Sequence, residues 1–138
     1  MSIFRRAALT LAALVASSAA CVDRLPDQDR RILAATAIAK LPVDALAQDY
    51  QTDQAAADRQ YWGKAIEVSG DVARTRESET GPVLVFVDKT GAEIVEAALL
   101  DDRASAIIES VGKSRRVRLK CYCAGLTTKV VLKSCVLP

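Results

Sequence analysis

The chain has 138 residues, of which 51% are hydrophobic, and it contains 19 Lys and Arg, 17 Asp and Glu and no histidine. That length accommodates one domain of ordinary size with appendages. The lack of histidine excludes Ser-His-Asp and Cys-His catalysis, and the six scattered glycines exclude a glycine-rich phosphate loop, so an enzyme is not expected.

Residues 1–20 have the three-part form of a secretory signal peptide. Arg5 and Arg6 form its basic region, and the apolar run 7–20 ends in small side chains. This run is shorter than the roughly 20 apolar residues that a transmembrane helix needs. We therefore predict export to the periplasm. Without the leader the chain carries 17 basic and 17 acidic side chains, so it has no overall attraction for a polyanion.

Residues 18–21, Ser-Ala-Ala-Cys, resemble the lipobox of bacterial lipoproteins, in which the cysteine is lipidated and becomes the new N-terminus. The lipobox usually has Leu three residues before the cysteine, where this chain has Ser18. Ordinary signal cleavage after Ala20 is the competing interpretation. We expect lipid on Cys21, and hence a periplasmic protein that is anchored to the membrane.

Residues 21–43 are predicted to form a tether with a short helix. Asp27 or Asp29 is a suitable N-cap, and Pro42 stops the helix. Its apolar side is small and rich in alanine, which suits loose docking or a spacer. This side carries Ile32, Leu33, Ala35 and Ile38.

A second helix is predicted over residues 44–61, and it leads into the domain that spans residues 44–138. Asp44 is a good N-cap for this helix, and Gly63 is a suitable C-terminal stop. Spacings of four, seven and four keep its larger side chains on one side. These side chains are Leu46, Tyr50, Ala57 and Tyr61.

Beyond the second helix the hydrophobic pattern changes to the period of two that is typical of strands. Five strands are predicted, at residues 64–74, 83–87, 92–100, 116–123 and 129–137. Residues 101–113, between the third and fourth strands, have the pattern of an amphipathic helix. This order is that of the OB-fold, whose ligands lie across strands two and three and the flanking loops. The predicted fold is mainly β with helices: a five-stranded OB-fold barrel preceded by one or two N-terminal helices.

A set of residues on the second helix, the first strand and the C-terminal hairpin forms a wider pattern. It consists of Tyr50, Ala57, Asp58, Tyr61, Gly63, Lys64, Val68, Gly70, Val72, Cys123, Gly125, Val131, Leu132 and Cys135. This pattern resembles the tRNA-anticodon-binding-like OB-fold family of bacterial exported proteins and lipoproteins. It covers roughly residues 44–137, with departures at Asp53, Trp62 and Cys121. The resemblance implies an exported OB-fold, while the family's name records a fold similarity and leaves the ligand open.

Three cysteines lie near the C-terminus, and three explanations compete for them. A zinc site needs four soft or imidazole ligands, and a redox centre usually has Cys-x-x-Cys at a helix N-terminus; neither pattern is present. A structural disulfide suits an oxidising compartment. The family resemblance implies that Cys123 pairs with Cys135 and leaves Cys121 over. In a tight hairpin turning near Leu126 the two partners would lie out of register, so a wide or bulged connection is required, and pairing Cys121 with Cys135 eases this only slightly.

One face of the fourth predicted strand is basic. Its outward side chains are Arg116, Arg118, Lys120 and Tyr122. A basic stripe ending in an aromatic is typical of a nucleic-acid site on a strand, but any solvated strand also needs polar residues outside. The favoured hypothesis is a non-enzymatic binding or adaptor module of the bacterial cell envelope, which recognises an envelope protein or a small envelope ligand without metal or cofactor. The alternative is binding of single-stranded nucleic acid through the barrel face and this strand.

Overall fold

The structure, a computed structural model, describes residues 25–138. The predicted signal peptide, residues 1–20, and the predicted lipid site at Cys21 lie outside the described residues. The strands are β1 (Lys40–Pro42), β2 (Ala65–Ser78), β3 (Gly81–Val87), β4 (Glu93–Leu99), β5 (Arg116–Leu126) and β6 (Val130–Val136). The α-helices are α1 (Val43–Thr52), α2 (Gln54–Tyr61) and α3 (Ala104–Lys113), and 3-10 turns cover Arg30–Leu33 and Asp101–Arg103.

Five strands form a closed barrel in the order β2, β3, β4, β6, β5, with β2 also pairing to β5. Neighbouring strands are antiparallel except β4 and β6, which run parallel. Closure depends on the length of β2, because residues 65–71 pair with β5 and residues 71–78 pair with β3. The strand order, with α3 between β4 and β5, confirms the predicted OB-fold, and β1 adds a short parallel strand beside β2.

Alternating side chains of the barrel strands fill its interior. In β2, Ile66 and Val68 are fully buried while Glu67 between them is partly exposed, as the period of two predicts. Gly70 continues the inward row without a side chain, because the side chain of Val43 lies where a Cβ atom would be. The absence of a side chain at this position therefore lets the start of α1 pack directly against the barrel wall.

Residues 25–39, which we call the N-terminal strap, do not form the predicted helix. Only Arg30–Leu33 is helical, as a single 3-10 turn capped by the Asp29 side chain, and Lys40–Pro42 pairs in parallel with β2. Tertiary packing overrides the helical pattern, because Ile32 is fully buried in a second hydrophobic cluster against the barrel. Hydrogen bonds from the Ile38 amide to the Ala65 carbonyl and between β1 and β2 complete the docking of this segment.

The single helix predicted over residues 44–61 is two helices, α1 and α2. Asp53 separates them in an extended conformation, and its side chain accepts a hydrogen bond from the Ala56 amide as the N-cap of α2. Asp44 lies in the first turn of α1, whose N-cap is Pro42. A strong N-cap residue in the middle of the pattern therefore starts a new helix. None of the helices within residues 25–138 has the length and apolar character needed to cross a bilayer.

Candidate functional site

The outward-facing side chains of β2, β3 and β4 form what we call the outer barrel face. The strand register aligns two rows across it, Arg74–Val85–Glu96 and Arg76–Val83–Ala98. Val83 and Val85 point away from the core residues Leu84 and Phe86, yet they are only 4% and 0% exposed. Charged side chains of the neighbouring strands therefore cover the aliphatic centre of this face. Its strands β3 and β4 are the second and third strands of the barrel, on which OB-folds bind their ligands.

The charges on the outer barrel face are paired with one another. Arg74 donates two hydrogen bonds to the Glu93 carboxylate, at 2.8 and 3.0 Å, and Arg76 donates one to Glu96 at 2.9 Å. Lys129, in the turn between β5 and β6, lies 3.7 Å from Glu93 and 3.4 Å from Glu96. Pairs this exposed contribute little stability individually. Their effect is to shield the valines and to leave the face close to neutral.

The ion pairs shift the titration of both glutamates. The hydrogen bond from Arg74 holds the pKa of Glu93 below its ordinary value, with Lys129 adding to the effect. Partial burial raises the pKa of Glu96, but the hydrogen bond from Arg76 and the charges of Arg76 and Lys129 outweigh it, so the pKa is lowered. Both carboxylates are thus fully ionised at neutral pH.

We expect the free energy of unfolding to fall as the pH is lowered through the folded pKa values of Glu93 and Glu96. Both values lie below the ordinary glutamate value of 4.5, so the stabilisation is fully present above that pH and is lost below it. Arg74→Gln removes the main partner of Glu93 and should make this loss shallower. Urea midpoints at about pH 7 and about pH 3.5 measure the effect.

Arg118→Gln is the matched control, since Arg118 is an exposed arginine on β5 that has no acidic partner in the described part of the chain. Its pH dependence should equal that of the unmodified protein. Equal slopes in the Arg74 variant as well would contradict the assignment of this acid sensitivity to the outer barrel face.

A recess of about 200 Å³ opens at the edge of the outer barrel face where β4 meets β6. Aliphatic side chains of Val83, Ala98 and Val131 line it. Arg76 and Glu96 bring their paired charges to it. The recess thus combines an apolar surface with a polar margin, a combination that suits an aliphatic side chain of a bound ligand.

The predicted ligand face on β5 faces outward but is not a free stripe. Lys120 donates a hydrogen bond to the Ala35 carbonyl of the N-terminal strap at 2.8 Å, and Tyr122 packs against the cluster around Ile32. Arg116 lies 3.7 Å from Asp71 on β2. Of the four predicted ligand-face side chains, two contact the strap and one forms an ion pair. Arg118 is the one among them that is both exposed and unpaired.

Two tyrosines and two aspartates lock α1 against α2. Tyr50 donates a hydrogen bond to Asp58 at 2.9 Å, and Tyr61 donates one to Asp49 at 2.6 Å, so each helix supplies one donor and one acceptor. The Tyr50 hydroxyl also lies 3.3 Å from the Cys123 sulfur. Burial, assisted by Asp49, raises the pKa of Tyr61 to about 12, and burial raises the pKa of the Cys123 thiol. The two tyrosine hydroxyls and the Cys123 thiol therefore stay neutral and help to hold the two helices in place.

The disulfide joins Cys121 to Cys135, and Cys123 is a buried free thiol, so the expected Cys123–Cys135 pairing is wrong. The reason is an irregularity in the hairpin: Tyr122 lies opposite Lys133 but Lys120 lies opposite Val136, so β6 contains one extra residue. This bulge brings the Cα atoms of Cys121 and Cys135 to 4.3 Å.

Ser134 forms the bulge in β6 and also holds the N-terminal strap. Its φ angle is 57°, a left-handed conformation that is uncommon for a residue with a side chain. The Ser134 hydroxyl accepts a hydrogen bond from the Asp29 amide at 2.8 Å. The same local distortion therefore determines the disulfide pairing and holds the strap.

Within residues 25–138, no three His, Cys, Asp or Glu side chains gather closely enough to hold a metal ion.

Comparison with known proteins identifies the family of the chain. The family model named tRNA_anti-like matches residues 3–136. The chain belongs to the tRNA_anti-like family. The match confirms the family resemblance found in the sequence. The matched residues include most of the predicted leader and the whole barrel.

A crystal structure of a lipoprotein from Klebsiella pneumoniae, named as a candidate nucleic acid-binding protein, resembles this tRNA_anti-like chain. The two are 17% identical, with a TM-score of 0.54 over 80% of this chain and 97% of the other. At that identity the likeness shows a shared fold. No curated protein matches the chain.

The outer barrel face of this tRNA_anti-like protein includes residues that the sequence pattern does not assign to a strand. The predicted first strand ends at residue 74 and residues 76–82 are predicted to be a polar connection, whereas β2 runs to Ser78. Arg74, Arg76 and Ser78 lie at alternate positions, but a register shift between Val72 and Arg74 moves the even-numbered residues of β2 from the inner to the outer side. Glu93 and Glu96 are not at alternate positions, because a register shift in β4 separates them.

Proposed function

We propose that the chain is a non-catalytic binding module of the bacterial cell envelope, anchored by lipid at Cys21, that engages an envelope protein through the outer barrel face. The observation that carries this proposal is the recess of about 200 Å³, which sets Val83, Ala98 and Val131 beside paired charges. An aliphatic side chain of a protein partner would fill it, and the partner's backbone and polar groups would meet the margin. The family and the lipoprotein neighbour support a module that binds rather than catalyses.

The charges on this face favour a polypeptide over a polyanion. All four cations around it have an acid within 4 Å: Arg74, Arg76 and Lys129 contact glutamates, and Lys133 lies 2.8 Å from Asp27. A nucleic acid would have to displace these carboxylates to neutralise its phosphates. Base stacking also needs exposed aromatic side chains. Among the described residues none lies on the outer barrel face, since Tyr50, Tyr61 and Phe86 are buried, and Trp62 and Tyr122 lie elsewhere.

Photo-cross-linking tests the proposed interface. A photo-reactive amino acid replaces Val131, on the wall of the recess, in the tagged protein expressed in its own bacterium. Irradiation should give a discrete adduct that protease, but not nuclease, destroys. The matched control places the same group at Glu109, whose side chain on α3 is 73% exposed. Ala98→Arg fills the recess and should lower the yield at least about tenfold, as expected for the loss of roughly 1.4 kcal/mol of binding.

An adduct from position 131 that is absent from position 109 and lost in the Ala98 variant supports a protein partner at the recess. Equal adducts from both positions, or none from position 131, overturn the proposed site.

Arg118 and the lipoprotein neighbour favour a second candidate, the binding of single-stranded nucleic acid. With Arg116 partly paired to Asp71, β5 offers about two phosphate contacts. Affinity would then fall only about tenfold between 50 and 200 mM salt. Fluorescence anisotropy of a labelled oligonucleotide at about 50 mM salt measures it. Binding that Arg118→Gln abolishes would favour this candidate, and we expect no such binding.

A further inference from the structure

We propose that the surface around Trp62 faces the membrane and holds the barrel against anionic lipid headgroups. This seating surface consists of Leu25, Ile38, Trp62 and Lys64. The inference rests on the lipid anchor proposed at Cys21, and it adds an orientation, because it assigns one defined end of the barrel to the bilayer.

The first described residue of the strap is fixed to the barrel at this surface. The Lys133 ammonium donates a hydrogen bond to the Leu25 carbonyl at 3.4 Å and another to Asp27 at 2.8 Å. The Leu25 side chain lies 3.8 Å from the place of a Cβ atom on Gly63, the neighbour of Trp62. The chain therefore leaves the barrel beside Trp62.

The short connection to Cys21 limits how far the barrel can move from the lipid. Four residue steps separate Cys21 from Leu25, and a fully extended chain covers at most about 14 Å over that distance. A domain of this size is roughly 30 Å across. A lipid on Cys21 would thus keep the end of the barrel near Leu25 at the headgroups, whatever path the four residues take.

The side chains at this end have the chemistry of a membrane interface. Trp62 is 37% exposed and Ile38 is 58% exposed. The Ile38 amide bonds to the carbonyl of Ala65, three residues after Trp62, so both apolar side chains lie near the start of β2. Lys64, two residues after Trp62, is exposed, and its ammonium donates a hydrogen bond to the Arg59 carbonyl at 3.0 Å. Tryptophan is enriched at membrane interfaces, and lysine is attracted to anionic lipid.

The Trp62 indole is already held in position. Its Cδ1 atom lies 3.4 Å from the place of a Cβ atom on Gly125, and Trp62 forms an isolated bridge with Cys123 on β5. Since Gly125 has a φ of 86°, glycine suits the backbone conformation at this position, and the indole packs beside it. The exposed edge of the indole therefore meets the bilayer without losing much side-chain freedom.

Tryptophan fluorescence tests the orientation directly, because the chain contains a single tryptophan. The full-length protein is purified in detergent, its mass at Cys21 is measured, and it is reconstituted into phosphatidylethanolamine–phosphatidylglycerol vesicles with or without brominated acyl chains. We expect brominated lipid to lower the Trp62 emission at least about twofold, as for an indole at the interface. Lys64→Glu should reduce this quenching by repulsion from anionic lipid.

The control moves the fluorophore to the opposite end of the barrel in a Trp62→Phe/Lys89→Trp double variant. β3 begins beside Thr80, whose carbonyl bonds to Gln28 of the strap, and it runs seven residues to Val87, so exposed Lys89 lies at its far end. Brominated lipid should leave this variant nearly unchanged. Lipid on Cys21 with equal quenching in both proteins overturns the inference alone, whereas an unmodified Cys21 overturns the proposed anchor and the inference with it.

Discussion

Removing either partner of the disulfide should lower the free energy of unfolding by about 3 kcal/mol, as the chain-entropy model gives for a loop of this size. The bridge links Cys121 to Cys135, which are 14 residues apart in the sequence. Cys135→Ala and Cys121→Ala should therefore be equally destabilised and insensitive to reductant. Urea unfolding with and without reductant measures both effects in a Cys21→Ser background, which leaves Cys123 as the one cysteine outside the bridge.

Cys123→Ala is the matched control for the disulfide, because Cys123 is equally buried but carries a free thiol. This variant should keep its bridge and its sensitivity to reductant. It should lose only about 1 kcal/mol, from the missing sulfur and its contact with Tyr50. A Cys123 variant that no longer responds to reductant would contradict the Cys121–Cys135 pairing.

Ile32→Ala should destabilise the protein by about 2–5 kcal/mol, the range for truncating a fully buried aliphatic side chain. Ile32 is the residue by which the N-terminal strap is buried in the barrel, together with Ala65, Leu100 and Val136. Its loss should also free Lys120 and Tyr122 on β5, which the strap covers. Thermal or urea unfolding measures the first effect, and limited proteolysis within residues 25–39 measures the second.

Leu33→Ala provides the comparison for Ile32, since Leu33 is the next residue and is 37% exposed. Its effect should stay within about 0.5 kcal/mol, and the strap should remain resistant to protease. If both variants lose the same stability, the strap is held by its backbone hydrogen bonds to Ser134 and Ala65 and the buried side chain is not decisive.

The fold could be predicted because it depends on local pattern. Alternation in the other barrel strands, the apolar run of β3 and the helix between β4 and β5 indicate the barrel order, and each is visible in a single segment. The break between α1 and α2 also had a local signal, since Asp53 is a strong N-cap residue within the predicted helix.

The docking of the strap and the disulfide pairing depend on contacts between residues that are far apart in the sequence, so the pattern of one segment cannot predict them. Ile32 is buried only because the barrel presents Leu100 and Val136 to it, so an isolated helical pattern was misleading. The pairing of Cys121 with Cys135 follows from one extra residue at Ser134, a position whose sequence gives no sign of a positive φ. The outer barrel face combines both problems, since its ion pairs join β2, β4 and the turn between β5 and β6.

The two hydrogen bonds Tyr50–Asp58 and Tyr61–Asp49, which we call the tyrosine–aspartate clasp, affect how relatives of this protein can be classified. Tyr50, Asp58 and Tyr61 are signature positions of the sequence pattern, and all three are occupied in holding two helices together. Searching genomes with that signature will collect chains that share a scaffold, whatever each of them recognises. Grouping them by ligand requires comparing the solvent-side positions of β2 and β4, where the clasp has no influence.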